Sequence, residues 1–129
     1  MIRILYIDDD VRLRETMSAY LGWYGLSVDQ LGDTSGAMSA LAGGRYDVLV
    51  CDVFARPFDG YELSGRIKAS QDPSIRNTEI LLVGPEEPDF ERYVALKKSG
   101  VHSMVKYKSA EEWYEKIDII VQKRSADRS

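Results

Sequence analysis

Short apolar runs alternate along the chain with longer stretches whose apolar residues recur every three or four positions. Ile2-Arg3-Ile4-Leu5-Tyr6-Ile7 is a near-continuous apolar run closed by carboxylates, the pattern of a strand buried on both faces. From Val11 to Tyr24, apolar residues at Met17, Tyr20, Leu21 and Tyr24 have the spacing of one helix face. Asp10 is placed to cap that helix, and Gly25 to take the left-handed turn just past its end. Ser27 to Leu31 predicts a second strand. Asp33-Thr34-Ser35 opens a second helix that ends at Gly43-Gly44. Tyr46-Asp47-Val48-Leu49-Val50-Cys51 predicts a third strand that runs into Asp52.

The second half repeats the alternation. A loop with Pro57 and Asp59-Gly60 leads to a third helix from Tyr61 to about Ser70, which Asp72-Pro73 stops. Ile80-Leu81-Leu82-Val83 is the fourth strand, and Phe90 to Ser99 a fourth helix closed by Gly100. Ser103-Met104-Val105 is a short fifth strand. Ser109-Ala110-Glu111-Glu112 fits a capping box at the start of a fifth helix. Residues 1–123 therefore form one domain, and residues 124–129 a frayed polar tail. The order is strand-helix repeated five times. Right-handed crossovers favour an α/β fold with a five-stranded parallel sheet in the order 2-1-3-4-5, doubly wound and flavodoxin-like.

Composition agrees with this reading and narrows the function. The 129 residues suit one domain, 44% are hydrophobic, and the formal net charge is −4. That acidic balance argues against direct binding to nucleic acid or an anionic membrane. No apolar run reaches membrane-spanning length, and the single cysteine, Cys51, reads as a small buried residue. A cytoplasmic location is the expectation.

In doubly wound sheets, ligands bind beyond the carboxyl ends of the strands where the winding reverses, here between strands 1 and 3. Strand 1 ends in Asp8-Asp9, strand 3 in Asp52 and strand 5 in Lys106. Three carboxylates on one rim resist ionising together. A divalent cation cancels their charge, and hard oxygen ligands suit Mg²⁺. A carboxylate beside that metal is a candidate nucleophile toward phosphorus, with Lys106 neutralising the phosphoryl oxygens.

These residues together resemble the receiver domains of two-component response regulators, over Ile2 to about Lys123. Ile4-Leu5-Tyr6-Ile7-Asp8-Asp9-Asp10 is similar to the family's first strand and acidic pair. Asp52 with Pro57, Asp59 and Gly60 is similar to its phosphoacceptor strand and loop, and Lys106 with Ser109 to Glu112 to its lysine and final helix. The resemblance implies that Asp52 accepts a phosphoryl group from the phosphohistidine of a sensor histidine kinase or phosphotransfer protein. It implies that Asp9 binds Mg²⁺ directly, Asp8 mostly through water, and Phe54 through its backbone carbonyl. It also implies a downstream protein target and a homodimer through the fourth and fifth helices.

The sequence departs from the family at the switch positions. Gly84 stands where a Thr or Ser hydroxyl is usual, and Ser103 where an aromatic is usual. Tyr107 replaces the proline after the lysine, and the loop proline falls at Pro57 instead of at Arg56. Phosphorylation is therefore expected to be chemically possible but coupled to output differently or weakly. Two other readings stay open. One is a pseudo-receiver that acts as a phosphorylation-independent interaction module. The other is a haloacid-dehalogenase-type phosphatase with Asp8 as nucleophile and Asp10 as acid/base. Of the remaining residues, Trp113, Ile117 and Ile120 are expected in the core, with Tyr114, Asp118 and Val121 on an adjacent stripe. Lys97-Lys98 complement a helix end, Glu86 lies near the pocket mouth, and His102 is expected in an exposed loop.

Overall fold

In the computed structural model, which describes residues 1–128, the sheet is parallel, with strand order β2-β1-β3-β4-β5. The strands are β1 (Arg3–Ile7), β2 (Ser27–Leu31), β3 (Val48–Asp52), β4 (Glu79–Gly84) and β5 (His102–Val105). The helices are α1 (Val11–Trp23), α2 (Ala37–Leu41), α3 (Gly60–Lys68), α4 (Pro73–Arg76), α5 (Phe90–Ser99) and α6 (Ala110–Arg128). Among the described residues, no helix is long and apolar enough to cross a membrane.

Strand alternation sends neighbouring side chains to opposite faces. Leu5, Ile7, Leu49, Cys51, Ile80 and Leu82 pack with Leu41, Leu63, Ile67 and Leu96 on one side. Ile4, Tyr6, Val48, Val50, Leu81 and Val83 pack with Met17, Leu21, Trp113, Ile117 and Ile120 on the other. Both faces of the central strands are thus dry, which is why β1, β3 and β4 read as unbroken apolar runs. Burying a side chain such as Leu or Ile stabilises by roughly 1.5–3 kcal/mol, so this double core supplies most of the driving force.

Local signals act as expected at several ends. The Asp10 side chain accepts from the Leu13 N–H. Gly25 and Gly100 take positive φ just past their helices, at 87° and 74°. The capping box at α6 forms in both directions: the Ser109 N–H donates to Glu112 Oε2 at 2.9 Å, and the Glu112 N–H donates to Ser109 Oγ at 3.1 Å. Lys97 and Lys98 fall in the last turn of α5.

Four expectations need correction. Asp72-Pro73 starts a helix instead of stopping one: Asp72 accepts from the Ser74 N–H, and Pro73 occupies the first turn of α4, where its missing N–H costs nothing. With α4 inserted, the expected fourth and fifth helices are α5 and α6. The second helix is shorter than expected, because Asp33 folds its carboxylate onto Ser35 N and Oγ and leaves the start at Gly36 without a side-chain cap. The chain after Lys123 does not fray at once. Helix α6 continues to Arg128, and Arg124 reaches across to Asp47, with Nη2 2.7 Å from Oδ1. Finally, His102 is half-buried at the start of β5, its Nε2 3.6 Å from Glu79 Oε2. Its hydrogen bond is the main reason the Glu79 carboxyl is held below the usual range.

Candidate functional site

The carboxyl ends of β1 and β3 lie side by side, with Ile7 opposite Cys51 in the register. The residues that follow them therefore share one crevice. Carboxylate oxygens of Asp8, Asp9 and Asp52 all lie within 4.8 Å of one another. Asp8 and Asp52 are buried and Asp9 is exposed, so the cluster has a dry floor and an open side. Lys106 follows β5 directly. Its N–H donates to the Gly84 carbonyl at 2.7 Å, and its side chain runs inward until only 6% of the residue is exposed.

The charges inside are paired unevenly. Lys106 Nζ sits 2.8 Å from Asp8 Oδ2 and 3.6 Å from Asp52 Oδ1. Asp8 also accepts from the Asp10 N–H at 2.9 Å through Oδ1, and from the Tyr6 hydroxyl at 3.2 Å through Oδ2. Its backbone carbonyl takes a guanidinium N–H of Arg14. Asp52 Oδ1, by contrast, is buried with no hydrogen-bond partner among the described residues. Burial pushes the Asp52 carboxyl above its ordinary range, Lys106 pulls it back and Asp8 pushes it further up. Burial disfavours the Lys106 ammonium, but the Asp8 hydrogen bond and the charges of Asp52 and Asp8 outweigh it and hold Lys106 above its usual value. An orphaned carboxylate oxygen beside two other carboxylates is the arrangement a hard cation relieves, so the donor set fits Mg²⁺.

The loop after β3 is clamped in place. Thr34 ties it down: the Thr34 N–H donates to the Arg56 carbonyl, Thr34 Oγ1 donates to the Phe58 carbonyl, and the Phe58 N–H donates back to Oγ1. Gly60 allows α3 to approach β3, since a Cβ there would lie 3.0 Å from both Asp52 O and Val53 Cα. Phe54 stands on this loop with its ring exposed. Cys51 is buried beneath, and burial raises its thiol well above the usual value, which leaves it an inert packing residue.

The structure brings together Asp8, Asp9, Asp52 and Lys106. Two residues joined to this site were not singled out for it from the sequence. Tyr6 was read only as part of a strand and Trp113 only as core. The signal available for Tyr6 was a polar-tipped aromatic two residues before Asp8, hence on the same strand face. Asp10 caps α1 by accepting from the Leu13 N–H, and both oxygens of Asp8 accept hydrogen bonds.

Comparison with known proteins decides the family. The profile of the response regulator receiver domain matches residues 4–118. The chain belongs to that family. Response regulator MprA of Mycobacterium sp. strain KMS is 27% identical over 126 residues, covering 98% of this chain and 53% of the relative. The MprA of Mycobacterium leprae is 28% identical over the same length, covering 54% of the relative. The chain thus spans about half the length of these curated relatives. Among solved structures, the receiver domain of Francisella response regulator 1452 superposes with a TM-score of 0.82 at 20% identity, over 96% of this chain and 99% of that one. Chemotaxis protein CheY4 of Vibrio cholerae superposes with a TM-score of 0.81 at 23% identity, over 93% and 98%. These likenesses bear out the flavodoxin-like fold of a receiver.

Within this receiver, β4 ends without a hydroxyl. A Cβ built on Gly84 would lie 2.9 Å from Val53 Cγ2, so the Val53 side chain occupies the space beside the strand end. Ser103 is half-buried on β5 and lines a cleft of about 160 Å³ between α5, β5 and α6, together with Tyr93, Leu96, Lys97 and Lys116.

Proposed function

We propose that this receiver accepts a phosphoryl group on Asp52, from the phosphohistidine of a sensor histidine kinase or phosphotransfer protein, in a Mg²⁺-dependent reaction. The observation that carries this is the orphaned Asp52 Oδ1, held within 4.8 Å of Asp8 and Asp9 and 3.6 Å from an ammonium. Asp9 and Asp52 would hold the ion directly, Asp8 through water, and Phe54 through its backbone carbonyl. Bound Mg²⁺ supplies positive charge that lets the crowded carboxylates ionise together and draws phosphate oxygens into the crevice.

The protein's own groups account for the transfer. A carboxylate oxygen of Asp52 attacks phosphorus, the phosphorus–nitrogen bond of the donor breaks, and its electron pair returns to the imidazole. The product is an aspartyl phosphate. Lys106, already between Asp8 and Asp52, neutralises charge on the transferred group. The domain is a signalling module in this reading, its only chemistry being transfer onto and loss from its own carboxylate. Its partners are the donor and a downstream protein, with a homodimer through α5 and α6 as one output form, no direct contact with nucleic acid or membrane, and residence in the cytoplasm.

One observation favours the second reading, a phosphorylation-independent interaction module. Val53 fills the space that a side chain at Gly84 would need, and Gly84 is paired with Val105 in the β4–β5 ladder, so the end of β4 offers the phosphoryl group no hydroxyl. Incubation with Mg²⁺ and acetyl phosphate, followed by intact mass, separates the two. Addition of one phosphoryl group, lost in Asp52→Asn, supports phosphoacceptance, whereas no adduct on the wild-type protein supports the interaction module.

A further inference from the structure

Tyr6 and Asp8 lie two residues apart at the end of β1 and so face the same side of the sheet. Tyr6 is fully buried, with its ring edge-on to Trp113 at 5.4 Å between centroids. Packing alone asks only for an apolar ring at this place. A hydroxyl in a dry core is costly unless it is bonded, and this one donates to Asp8 Oδ2 at 3.2 Å. The same oxygen takes Lys106 Nζ at 2.8 Å. Trp113 closes the circuit, because its Nε1 donates to the Lys106 carbonyl at 3.1 Å and fixes the backbone from which the lysine extends.

This arrangement matters when Asp52 is modified. Lys106 lies 0.8 Å closer to Asp8 (2.8 Å) than to Asp52 (3.6 Å) and must shift toward Asp52 to meet new phosphoryl oxygens. Asp8 is 0% exposed, so when the ammonium leaves, Oδ2 keeps the Tyr6 hydroxyl as its protein donor, while Oδ1 stays on the Asp10 N–H. A second donor already on Oδ2 keeps that carboxylate bonded and in the same rotamer while the lysine moves. We infer that Tyr6 is a positioning residue for phosphoryl transfer to Asp52: its hydroxyl holds Asp8 as Lys106 is handed from Asp8 to the phosphoryl group. This rests on the phosphoacceptor reading above.

The test is the rate of adduct formation on the full chain at saturating acetyl phosphate and Mg²⁺, followed by intact mass. Tyr6→Phe keeps the ring on Trp113 and removes the hydroxyl. It should lower the saturated rate more than about tenfold, the loss of one hydrogen bond to a charged group, while the half-saturating donor concentration holds. The same substitution placed on Asp8→Ala should change the rate less than twofold, because a residue that acts through Asp8 has nothing left to hold. A Tyr6→Phe rate within twofold of wild type overturns the inference and leaves phosphoacceptance standing. An equal loss in the Asp8→Ala background also overturns it, since the effect would then come from packing. Failure of the wild-type protein to take up a phosphoryl group overturns both.

Discussion

The two halves of the rim above the sheet are built differently. On the β1 and β3 side, most of the buried polar groups are committed and Asp52 Oδ1 is the exception: Asp8 is bonded through both oxygens, Asp10 caps α1, and Thr34 clamps the loop after Asp52. On the β4 and β5 side, Lys106 reaches into the pocket, but the strand residues beside it carry little chemistry. Gly84 has no side chain and is overlain by Val53, and Ser103 borders a cleft instead of filling one. On the proposed phosphoacceptor reading, the difference separates two jobs that share one crevice. Holding a cation and receiving a phosphoryl group needs carboxylates and an ammonium at fixed spacing. Passing that event to the surface needs a side chain that touches the phosphoryl group and then moves, and this chain has no hydroxyl at the end of β4 to serve as one. The circuit through Tyr6, Trp113 and Lys106 connects the pocket to α6 by another route.

The comparison breaks most visibly at Lys106. Replacing it with Met removes the only ammonium facing Asp8 and Asp52 among the described residues, and the rate of phosphorylation by acetyl phosphate should fall about a hundredfold. A rate within threefold of wild type would show that the metal alone carries the charge. The next effect is structural. Gly84→Thr forces an added Cβ against Val53 Cγ2 and should cost about 1–3 kcal/mol in urea unfolding. Adding Val53→Ala should recover most of that loss. Should the single variant prove as stable as wild type, Val53 is free to turn away and the β4 end is less filled than it looks.

A smaller effect tests the strain within the polar half. Burial holds the Asp52 carboxyl above its ordinary range, so the folded state binds that proton more tightly than the unfolded chain does. The sign follows: Asp52 detracts from stability as pH rises from the ordinary carboxylate range through its raised value. Asp52→Asn should therefore be more stable than wild type at neutral pH in metal-free buffer, and the gap should close as the buffer is acidified. Thermal melts from pH 7 down to pH 4 would read it, and a constant gap would reject it.

The smallest effect belongs to a control far from the crevice. Arg124→Ala removes the clasp on Asp47, whose side chains are 17% and 30% exposed, and should cost about 1 kcal/mol or less. Burial opposes ionisation of Asp47, yet the Arg124 hydrogen bond and the Arg3 N–H hold its carboxyl below the usual range. The contribution is thus present above that range and lost as pH falls through the lowered value. Phosphorylation should be untouched, and a changed rate would mean that α6 reports to the pocket along its whole length.

Sequence pattern made much of the fold and most of the pocket visible. The apolar runs of β1, β3 and β4, the caps at Asp10 and Ser109, and the glycines past α1 and α5 are local signals, each set by a few adjacent residues. Their alternation sufficed for strand order, and strand order sufficed to bring Asp8, Asp9, Asp52 and Lys106 to one rim. Local reading failed where one residue type serves two purposes. Asp72-Pro73 is chemically as good a start as a stop, and Asp33 could cap a helix or fold onto Ser35.

What the sequence determined by itself is therefore the periodic part: which segments are strands or helices, in what order, and which charged residues end the strands. What only the tertiary structure decided is pairwise and distant. Lys106 lies closer to Asp8 than to Asp52, Tyr6 and Trp113 belong to the site, Val53 fills the space beside Gly84, and Arg124 holds Asp47 across 77 residues of chain. Periodicity reports which face a side chain takes. It carries no record of the 0.8 Å by which the ammonium lies closer to Asp8 (2.8 Å) than to Asp52 (3.6 Å), and that difference is set when both faces of the sheet close.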